Sequence, residues 1–507
     1  MARSLTNNLA MAVAIETSIG VLPGTPLWVK LEPNSIGAYG ATITTVPRNP
    51  ISNTRQQRKG SVTDLDSSVE WEGDLTKDHV MQFIEGFVFA QRQNNTIMER
   101  VQAGSDYDSL AAVAATDNFT HSALSAALVE NTLVYVRGMS NAANNGLFEV
   151  AAAGTTTSTI TQAGALVDET PSIASGARMD VCGHRLSDLV WTDATNTLTT
   201  ALLDESTLGL SVGQMLRVGS DANAFGNGQI VGRIVSIDGT AGIVLDKVQN
   251  LGSGTLDGGG DETSTAVDLL YGPFIKNVAV SDSDFLQRSF AFELAYDDLQ
   301  EPTGTGDEYE YALGNLCNEL TLNSPGQDKA TLGFGFVGTT TDDITTTRLS
   351  NSANAVEPVQ TAAFNTAASF ARLNLTDTSE VSLGACFKSL TLTLSNEVSP
   401  EKCLGTLGAS FMNTGNFLVS LDAELLFTDS DLAQAVKDNQ TVTMDFLLEN
   451  DDGALAVDLP SMTLGGGAKS YPVNESIKIS VTGGAFADAT LDTSIGITEF
   501  PYFPTVA

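Results

Sequence analysis

The feature that most constrains this chain is a strict alternation of apolar and polar residues that recurs along it. In residues 417–428 every odd position is apolar and most even positions are polar. Successive side chains of a β-strand point to opposite faces of a sheet, so this pattern is typical of a strand with one buried side and one solvent-facing side. Residues 390–394, 442–448 and 477–481 repeat the pattern, and clusters of Gly, Asn and Asp separate these runs. The pattern predicts an antiparallel all-β fold, a β-sandwich or barrel.

One segment departs from this alternation. Five apolar residues recur there at helical spacing: Val80, Phe83, Ile84, Phe87 and Val88. They form a single apolar stripe, and Asp74 or Thr76 is suited to cap the start of the helix. A second, shorter helix is predicted over residues 430–437. We expect the first helix to flank the sandwich, packed on a sheet or over an open end of a barrel.

The central part of the chain has a different composition, rich in Ala, Gly, Thr and Ser and poor in Lys. Asn145-Gly146 and Asn227-Gly228 each separate two apolar runs. Asn-Gly in such a place is a strong hairpin signal. Gly146 and Gly228 lie 82 residues apart, too far for the repeat of a solenoid. We expect two small β subdomains, or two halves of one inserted β domain.

These observations predict three segments. Residues 1–102 form the first part of one domain, residues 103–270 form an inserted β-rich domain, and residues 271–507 complete the first domain. The insertion closes near a glycine-rich loop at residues 252–262, whose composition is that of a flexible linker.

The net charge excludes several classes of protein. Among 507 residues, 61 are Asp or Glu and 25 are Lys or Arg, which gives a formal net charge of −36. Affinity for phosphate backbones comes from Lys and Arg, so a general nucleic-acid-binding protein is excluded. No stretch of about 18 apolar residues is present, so we expect no membrane span. Glu16 interrupts the short apolar run near the N-terminus, so we expect no secretory signal either.

A search for catalytic, cofactor-binding and metal-ligating residues assigns none. The four cysteines are far apart and are expected to be free thiols, and Cys182 with His184 offers only two of the four ligands of a structural zinc site. Residues 333–338 spell GxGxxG, but they lie in an alternating run without a following helix. The acidic run at 257–262 lacks the spacing of a calcium-binding loop and is interpreted as a solvated linker.

One cluster of bases stands out in this acidic chain: Arg48, Arg55, Arg58 and Lys59. One interpretation is a solvated basic loop. The other is a contact with acidic surface on another copy of the chain, where charge complementarity fixes register and orientation. We assign these four residues as the candidate inter-subunit contact.

Several segments, taken in their order along the chain, resemble the major tail tube proteins of long-tailed, siphovirus-type bacteriophages. They are residues 15–23 (IETSIGVLP), the basic loop at 48–60, the run SSVEWEGDL that ends at Leu75, residues 288–299 (RSFAFELAYDDL), residues 311–320, the strand at 333–337, residues 395–398, 417–429 and 474–475, and residues 500–502. The likeness covers about 1–100 and 275–507, and the insertion between them has no counterpart in it.

This resemblance implies a structural virion protein without enzymatic activity or cofactor. Members of that family form rings, usually sixfold, whose inward strands join into one barrel around a lumen. The rings stack into the tail tube, which carries DNA from the capsid to the host cell. The implied partners are other copies of the chain and the tape measure, terminator and distal tail proteins, with assembly in the host cytoplasm and no membrane partner. An inserted domain is expected to decorate the outside.

The acidity of the chain agrees with a conduit for DNA, because an acidic lumen offers no Lys or Arg to hold the passing phosphates. The same net charge is equally compatible with an acidic outer wall of the tube. The alternative hypothesis assigns the chain to a different functional class, an extracellular β-rich adhesin or surface-layer subunit that binds calcium. A glycan-degrading tail hydrolase comes third, since no convincing catalytic set is present.

Overall fold

The fold was analysed in a computed structural model of the chain. The structure describes residues 6–51, 53, 56–93, 100–102, 110–121, 128–171, 177–201, 208–238, 242–263, 266–296, 307–342, 344–357, 361–383, 386–428 and 430–504. None of the helices in these ranges is long and apolar enough to cross a membrane.

Strands dominate the described residues. In chain order they are β1 Leu9–Ile15, β2 Trp28–Leu31, β3 Ser35–Arg48, β4 Arg58–Asp74, β5 Arg100–Gln102, β6 Leu110–Val113, β7 Asn118–His121, β8 Thr132–Arg137, β9 Gly146–Ala153, β10 Thr157–Ile160, β11 Arg178–Leu186, β12 Val190–Thr192, β13 Thr197–Thr199, β14 Met215–Val218, β15 Gln229–Asp238, β16 Gly242–Leu251, β17 Glu262–Thr263, β18 Val267–Leu270, β19 Phe274–Lys276, β20 Ser289–Tyr296, β21 Glu308–Ser324, β22 Thr331–Gly338, β23 Thr340–Thr341, β24 Phe370–Asp377, β25 Cys386–Ser395, β26 Ser399–Glu401, β27 Phe411–Asn413, β28 Leu418–Leu426, β29 Thr441–Asn450, β30 Gly453–Ser470, β31 Lys478–Ala485 and β32 Gly496–Phe500. Two α-helices accompany them within the described residues, α1 Lys77–Val88 and α2 Asp431–Lys437. The predicted all-β class is confirmed, and so are both predicted helices.

Most strands belong to two large antiparallel sheets. The first sheet has 16 strands, β1–β4, β19–β25 and β28–β32. The second sheet has 14 strands, β5–β18. A small ribbon of β26 and β27 stands apart from both.

The first sheet folds into two layers because two of its strands change neighbours along their length. The first half of β21 pairs with β20, and its second half pairs with β22 and β25. The first half of β30 pairs with β29 and β32, and its second half pairs with β31. The long-strand layer therefore runs β3-β4-β22-β21-β25-β28-β31-β30. The inner layer comprises β2-β1-β20 and β24-β29-β30-β32-β19.

The main hydrophobic core lies between these two layers. Leucines of β21, β22 and β25 meet apolar residues of β30 and β32 around a small apolar cavity. In β28 the odd residues Val419, Leu421, Ala423 and Leu425 are buried, as the alternation predicts. The sandwich is thus formed by the apolar faces of strands whose other faces are polar.

Helix α1 packs on the same core through its aromatic side chains. The Phe83 ring lies 5.1 Å from Phe334 and 5.5 Å from Phe290, centroid to centroid. At Gly86 a Cβ atom would come within 2.7 Å of the Cys317 sulfur and 2.8 Å of the Phe290 ring. The helix approaches the sheet this closely because position 86 has no side chain. The side chain of Val80, the first residue of the predicted stripe, lies outside the described residues.

The part of the inner layer formed by β29, the first half of β30 and β32 differs from the alternation read in the sequence, because both of its faces are buried. In β29 the apolar residues Val442, Met444 and Phe446 are buried, and so are the polar residues Thr443 and Asp445 between them. The second sheet covers this second face. The polar side chains that the sequence pattern assigns to solvent here point at the second sheet instead.

The second sheet repeats one local geometry. A short 3-10 turn, Ala114–Thr116, joins β6 to β7, and a second one, Asp193–Thr195, joins β12 to β13. Each turn ends in a residue of left-handed backbone, Asp117 with φ 44° and Asn196 with φ 48°. As the two Asn-Gly signals predict, β8 pairs with β9 and β14 pairs with β15.

The second sheet also buries a histidine in neutral form. His184 hydrogen-bonds the Tyr271 hydroxyl through Nδ1, and its Nε2 lies 3.1 Å from Thr132 Oγ1. Burial disfavours the charged imidazolium and lowers the pKa of His184 to about 4. The neighbouring Cys182 donates to the Leu133 carbonyl oxygen, and burial raises the pKa of its thiol. Both side chains are therefore accounted for by hydrogen bonds inside the sheet.

The pKa of His184 predicts a pH-dependent loss of stability. The pKa of His184 in the folded chain lies below the unfolded value of about 6.5. Between these two values His184 is protonated in the unfolded chain and neutral in the folded chain. As pH falls from about 6.5 to about 4, this group should remove about 3 kcal/mol from the free energy of unfolding, with no further loss below that range. Denaturant unfolding of wild type and His184→Gln across this range measures it. Carboxylates titrate in both proteins, so parallel curves would contradict the prediction.

Candidate functional site

The solvent-facing side of the long-strand layer carries an ordered polar surface, which we call the acidic face. Residues directly opposite each other in antiparallel strands share a face, so the strand register gives its rows. One row crosses seven strands: Glu72, Gly333, Thr321, Thr393, Ser420, Gly484 and Thr463. A neighbouring row is Glu70, Gly335, Glu319, Ser395 and Leu418, and a third is Asp74, Thr331, Asn323, Thr391, Asp422, Thr482 and Gly465.

The charged residues in the three rows of the acidic face are all negative. Five acids lie in the three rows among mostly hydroxyl and glycine positions, and none of the rows contains Lys or Arg. Two lysines lie beyond the rows, Lys329 paired with Asp74 at 2.7 Å and Lys478 paired with Glu424 at 3.2 Å. Gly37, Gly333 and Gly335 form part of a shallow groove whose rim includes Glu70 and Glu319. The face is thus anionic and lacks bulky side chains at its centre.

The predicted contact residues lie at the tip of a long hairpin formed by β3 and β4. Arg48 pairs directly with Arg58 at the last register position, and Arg48, Arg58 and Lys59 are exposed. Within the described residues, none of these three side chains has an ion pair. The structure therefore brings them together on one exposed tip. The fourth predicted residue, Arg55, lies outside the described residues.

The outer part of this hairpin is a two-stranded ribbon with both faces in solvent. From Thr42 to Arg48 every residue is exposed, including Ile43 at 55% and Val46 at 54% of full exposure. On β4, Val62 is 50% exposed, and Ile51 beyond β3 is fully exposed. An isolated two-stranded ribbon is marginally stable in water, and exposed apolar side chains in a cluster mark an interaction surface.

The base of the hairpin is held by the β26–β27 ribbon. Lys402 binds Asp64 at 2.6 Å and Asp66 at 2.5 Å, and the backbone N–H of Ala409 donates to the Thr339 carbonyl. The side-chain hydrogen bond from Lys402 lowers the pKa of Asp64. These contacts pair the acids at the base of the hairpin with Lys402. Residues 48–63, which form the tip, contain bases and no acid.

The long-strand layer ends in two strand edges. Within the described part of the chain, β3 pairs only with β4, and residues 464–470 of β30 pair only with β31. Strand edges carry backbone groups that can pair with another chain. The layer therefore has an edge on each side of the acidic face.

Sites for other chemistry were sought in the same ranges. No group of three or more His, Cys, Asp or Glu side chains in the described residues is placed to hold a metal ion. Residues 333–338 lie within β22, as the alternation indicates, so the GxGxxG spelling there marks a strand and no phosphate loop. Cys182 and Cys317 are buried free thiols, and Cys386 and Cys403 are exposed free thiols.

Sequence reasoning found the basic tip but missed the acidic face. The tip is a local charge cluster, visible as four bases within twelve residues. The acids of the face come from β4, β21 and β28, which are far apart in the chain, and only the register through β22 and β25 shows that they share one surface. The alternation identified the polar side of each strand, which is the one signal that could have suggested it.

The exposure of the tip predicts that its charges add little to the fold. The double variant Arg48→Glu, Arg58→Glu should unfold within about 0.5 kcal/mol of wild type, because it disturbs no buried group and no ion pair. Chemical denaturation of the soluble subunit measures this. A loss of several kcal/mol would show that the bases serve the fold of the subunit itself.

Comparison with known proteins adds one finding. A family model described as Phage tail tube protein matches residues 6–485, nearly the whole chain. No curated protein matches the chain.

Proposed function

The chain belongs to the phage tail tube protein family, and from this premise we propose that it self-assembles into stacked rings around a lumen through which DNA leaves the capsid. Membership makes it a structural tail tube protein of a bacteriophage and a component of the virion. The ring, the stacking contact and the lining of the lumen are proposed from the surfaces described above. The observation that carries the proposal is a sheet with one acidic, small-residue face between two strand edges.

Ring closure is proposed to bring the two edges together. The β3 edge of one copy would meet the β30 edge of the next, so that the long-strand layers join into one barrel. A head-to-tail contact of this kind closes into a ring when the rotation from one copy to the next is a whole fraction of 360°. Six copies are the expected number from the family resemblance.

The acidic face is proposed to line the lumen. Its apolar side is buried in the sandwich, so the polar side is the one available to an enclosed channel. Glu70, Glu72, Glu319 and Asp422 would repel phosphates, and the three rows contain no Lys or Arg to bind them. DNA would pass without specific binding.

Stacking is proposed to use the basic tip. The strand register places the tip at the same end of the layer as Gly338 and Leu418. The β30–β31 turn at residues 471–477 and the β21–β22 turn at 325–330 lie at the opposite end. Rings that stack in one direction would bring these opposite ends together. Exposed acids, Asp328 and Glu475, lie on those turns and complement the charge of the tip.

Two further parts of the proposal concern organisation and partners. Residues 103–270 are proposed to be an insertion into the tail tube domain formed by 1–102 and 271–507, carried on the outside of the tube. Other tail proteins, among them the tape measure, terminator and distal tail proteins, are the proposed neighbours, with assembly in the host cytoplasm.

Reversing the charge of the tip should prevent tube growth. The variant Arg48→Glu, Arg58→Glu is expected to remain folded yet form no tubes in negative-stain electron microscopy, whereas Arg48→Lys, Arg58→Lys should assemble like wild type. Adding Glu475→Lys or Asp328→Lys to the reversed variant should restore growth if that acid receives the tip. Tubes of normal length from the reversed variant would refute the stacking contact.

A base placed on the acidic face should slow DNA passage. Ser420 is exposed at the centre of the face, so Ser420→Lys should leave assembly intact and put a ring of cations in the lumen. The matched control is Ser420→Glu. The rate of triggered DNA release from phage particles should fall for the lysine variant only, and raising the salt concentration should relieve the effect, because each phosphate contact releases about one counterion. Equal rates of DNA release for the lysine and glutamate variants would show that this face does not line the lumen.

A further inference from the structure

The inner layer and the second sheet share a buried contact, which we call the seam. Apolar residues from both sheets form one buried cluster there: Met215, Val231 and Leu251 from the second sheet, and Leu447, Ala454, Ala456, Phe500 and Phe503 from the inner layer and the segment after it. The backbone N–H of Met215 also donates to Thr498 Oγ1 at 3.0 Å. Strands β29, β30 and β32 are therefore covered on both faces.

A buried network of charges crosses the seam beside this cluster. Arg233 of the second sheet donates to Asp458 of β30 at 2.8 Å, and Lys247 reaches the same carboxylate at 2.6 Å. Lys247 also lies 3.7 Å from Asp445, which pairs with Arg372 on the inner-layer side. Burial alone would raise the pKa of Asp458, but Lys247 and Arg233 outweigh it and hold that pKa below its usual value.

The segment after β32 ties the two sheets together. The Phe503 ring lies 4.3 Å from the Arg217 guanidinium, which also donates to the Pro504 carbonyl oxygen. The Tyr502 ring lies 5.2 Å from Tyr135. At Gly272 a Cβ atom would come within 2.1 Å of the Glu499 carbonyl oxygen in β32 and within 2.4 Å of the Pro501 ring, so the end of β32 and the segment after it pass over a position that only glycine can occupy.

We infer that the second sheet is a fixed buttress of the inner layer and that the two unfold as one cooperative unit. If the second sheet were a separate domain tethered by linkers, the inner layer would have a polar surface where the two meet. Here the inner layer presents apolar residues that pack on the second sheet and one buried carboxylate, Asp458, whose cations Arg233 and Lys247 both come from that sheet. A buried carboxylate without its cation is strongly destabilising. The inference concerns the single subunit and does not depend on ring assembly.

The experiment uses calorimetry of the full soluble chain. Wild type should unfold in one transition. Arg233→Ala, which leaves Lys247 as the remaining cation beside Asp458, should weaken the seam and split the single transition into two. The matched control is Arg185→Ala, which removes an arginine with carboxylate partners Asp268 and Glu149 inside the second sheet. The control should lower the transition temperature without splitting the transition. Two transitions in wild type, or an Arg233→Ala transition unchanged from that of wild type, would overturn the inference.

A double-mutant cycle covers the case in which the single variant fails to fold. Arg233→Ala, Asp458→Ala and the double variant are compared by denaturant unfolding. The loss of the Arg233–Asp246 ion pair occurs in both variants that lack Arg233 and therefore cancels in the cycle. A fixed seam predicts that the double variant loses less stability than the two single losses combined. Additive losses would mean that the two residues do not meet in solution, and the buttress would be wrong.

Discussion

The fold depends on the burial of one face of the long-strand layer. Eight strands lie side by side. Apart from the solvent-exposed outer part of the β3–β4 hairpin, they are apolar on the side that meets the inner layer and α1 and mostly polar on the other side. Because the side-chain period of a strand is two residues, a slip by one residue would turn every apolar side chain to solvent. Burial of leucines such as Leu320, Leu392 and Leu421 therefore fixes the register. The same register aligns the acids and hydroxyls of the opposite face into rows.

Function follows from what that constraint leaves exposed. A layer with its apolar face already buried still presents a polar face and two strand edges. Edges are a hazard for a monomer but provide contacts for a subunit that assembles. The hairpin of β3 and β4 extends past the layer, where its basic tip is exposed and Ile43 and Val46 are about half exposed. These features are costly in an isolated protein, and assembly with other copies would account for them.

The sequence predicted the parts of the fold that depend on local pattern. The strands of the last third, the helix over Lys77–Val88 and the basic tip could all be read from spacing and charge. The acidic face could not be read, because it unites strands from distant parts of the chain. The buried polar side of β29 was also out of reach: Asp445 and Thr443 look like solvent-facing residues until Lys247, about two hundred positions away, is placed opposite them. Long-range contacts of this kind leave no periodic trace in one sequence.

The central claim is that the acidic face lines the channel of a tube. An electron cryo-microscopy reconstruction of tubes assembled from the purified chain tests it most directly. The account predicts a central channel walled by β4, β22, β21, β25 and β28, with Glu70, Glu72, Glu319 and Asp422 pointing into it and the basic tip seated on the next ring. A tube in which these residues face outward or lie in a contact between subunits would contradict it.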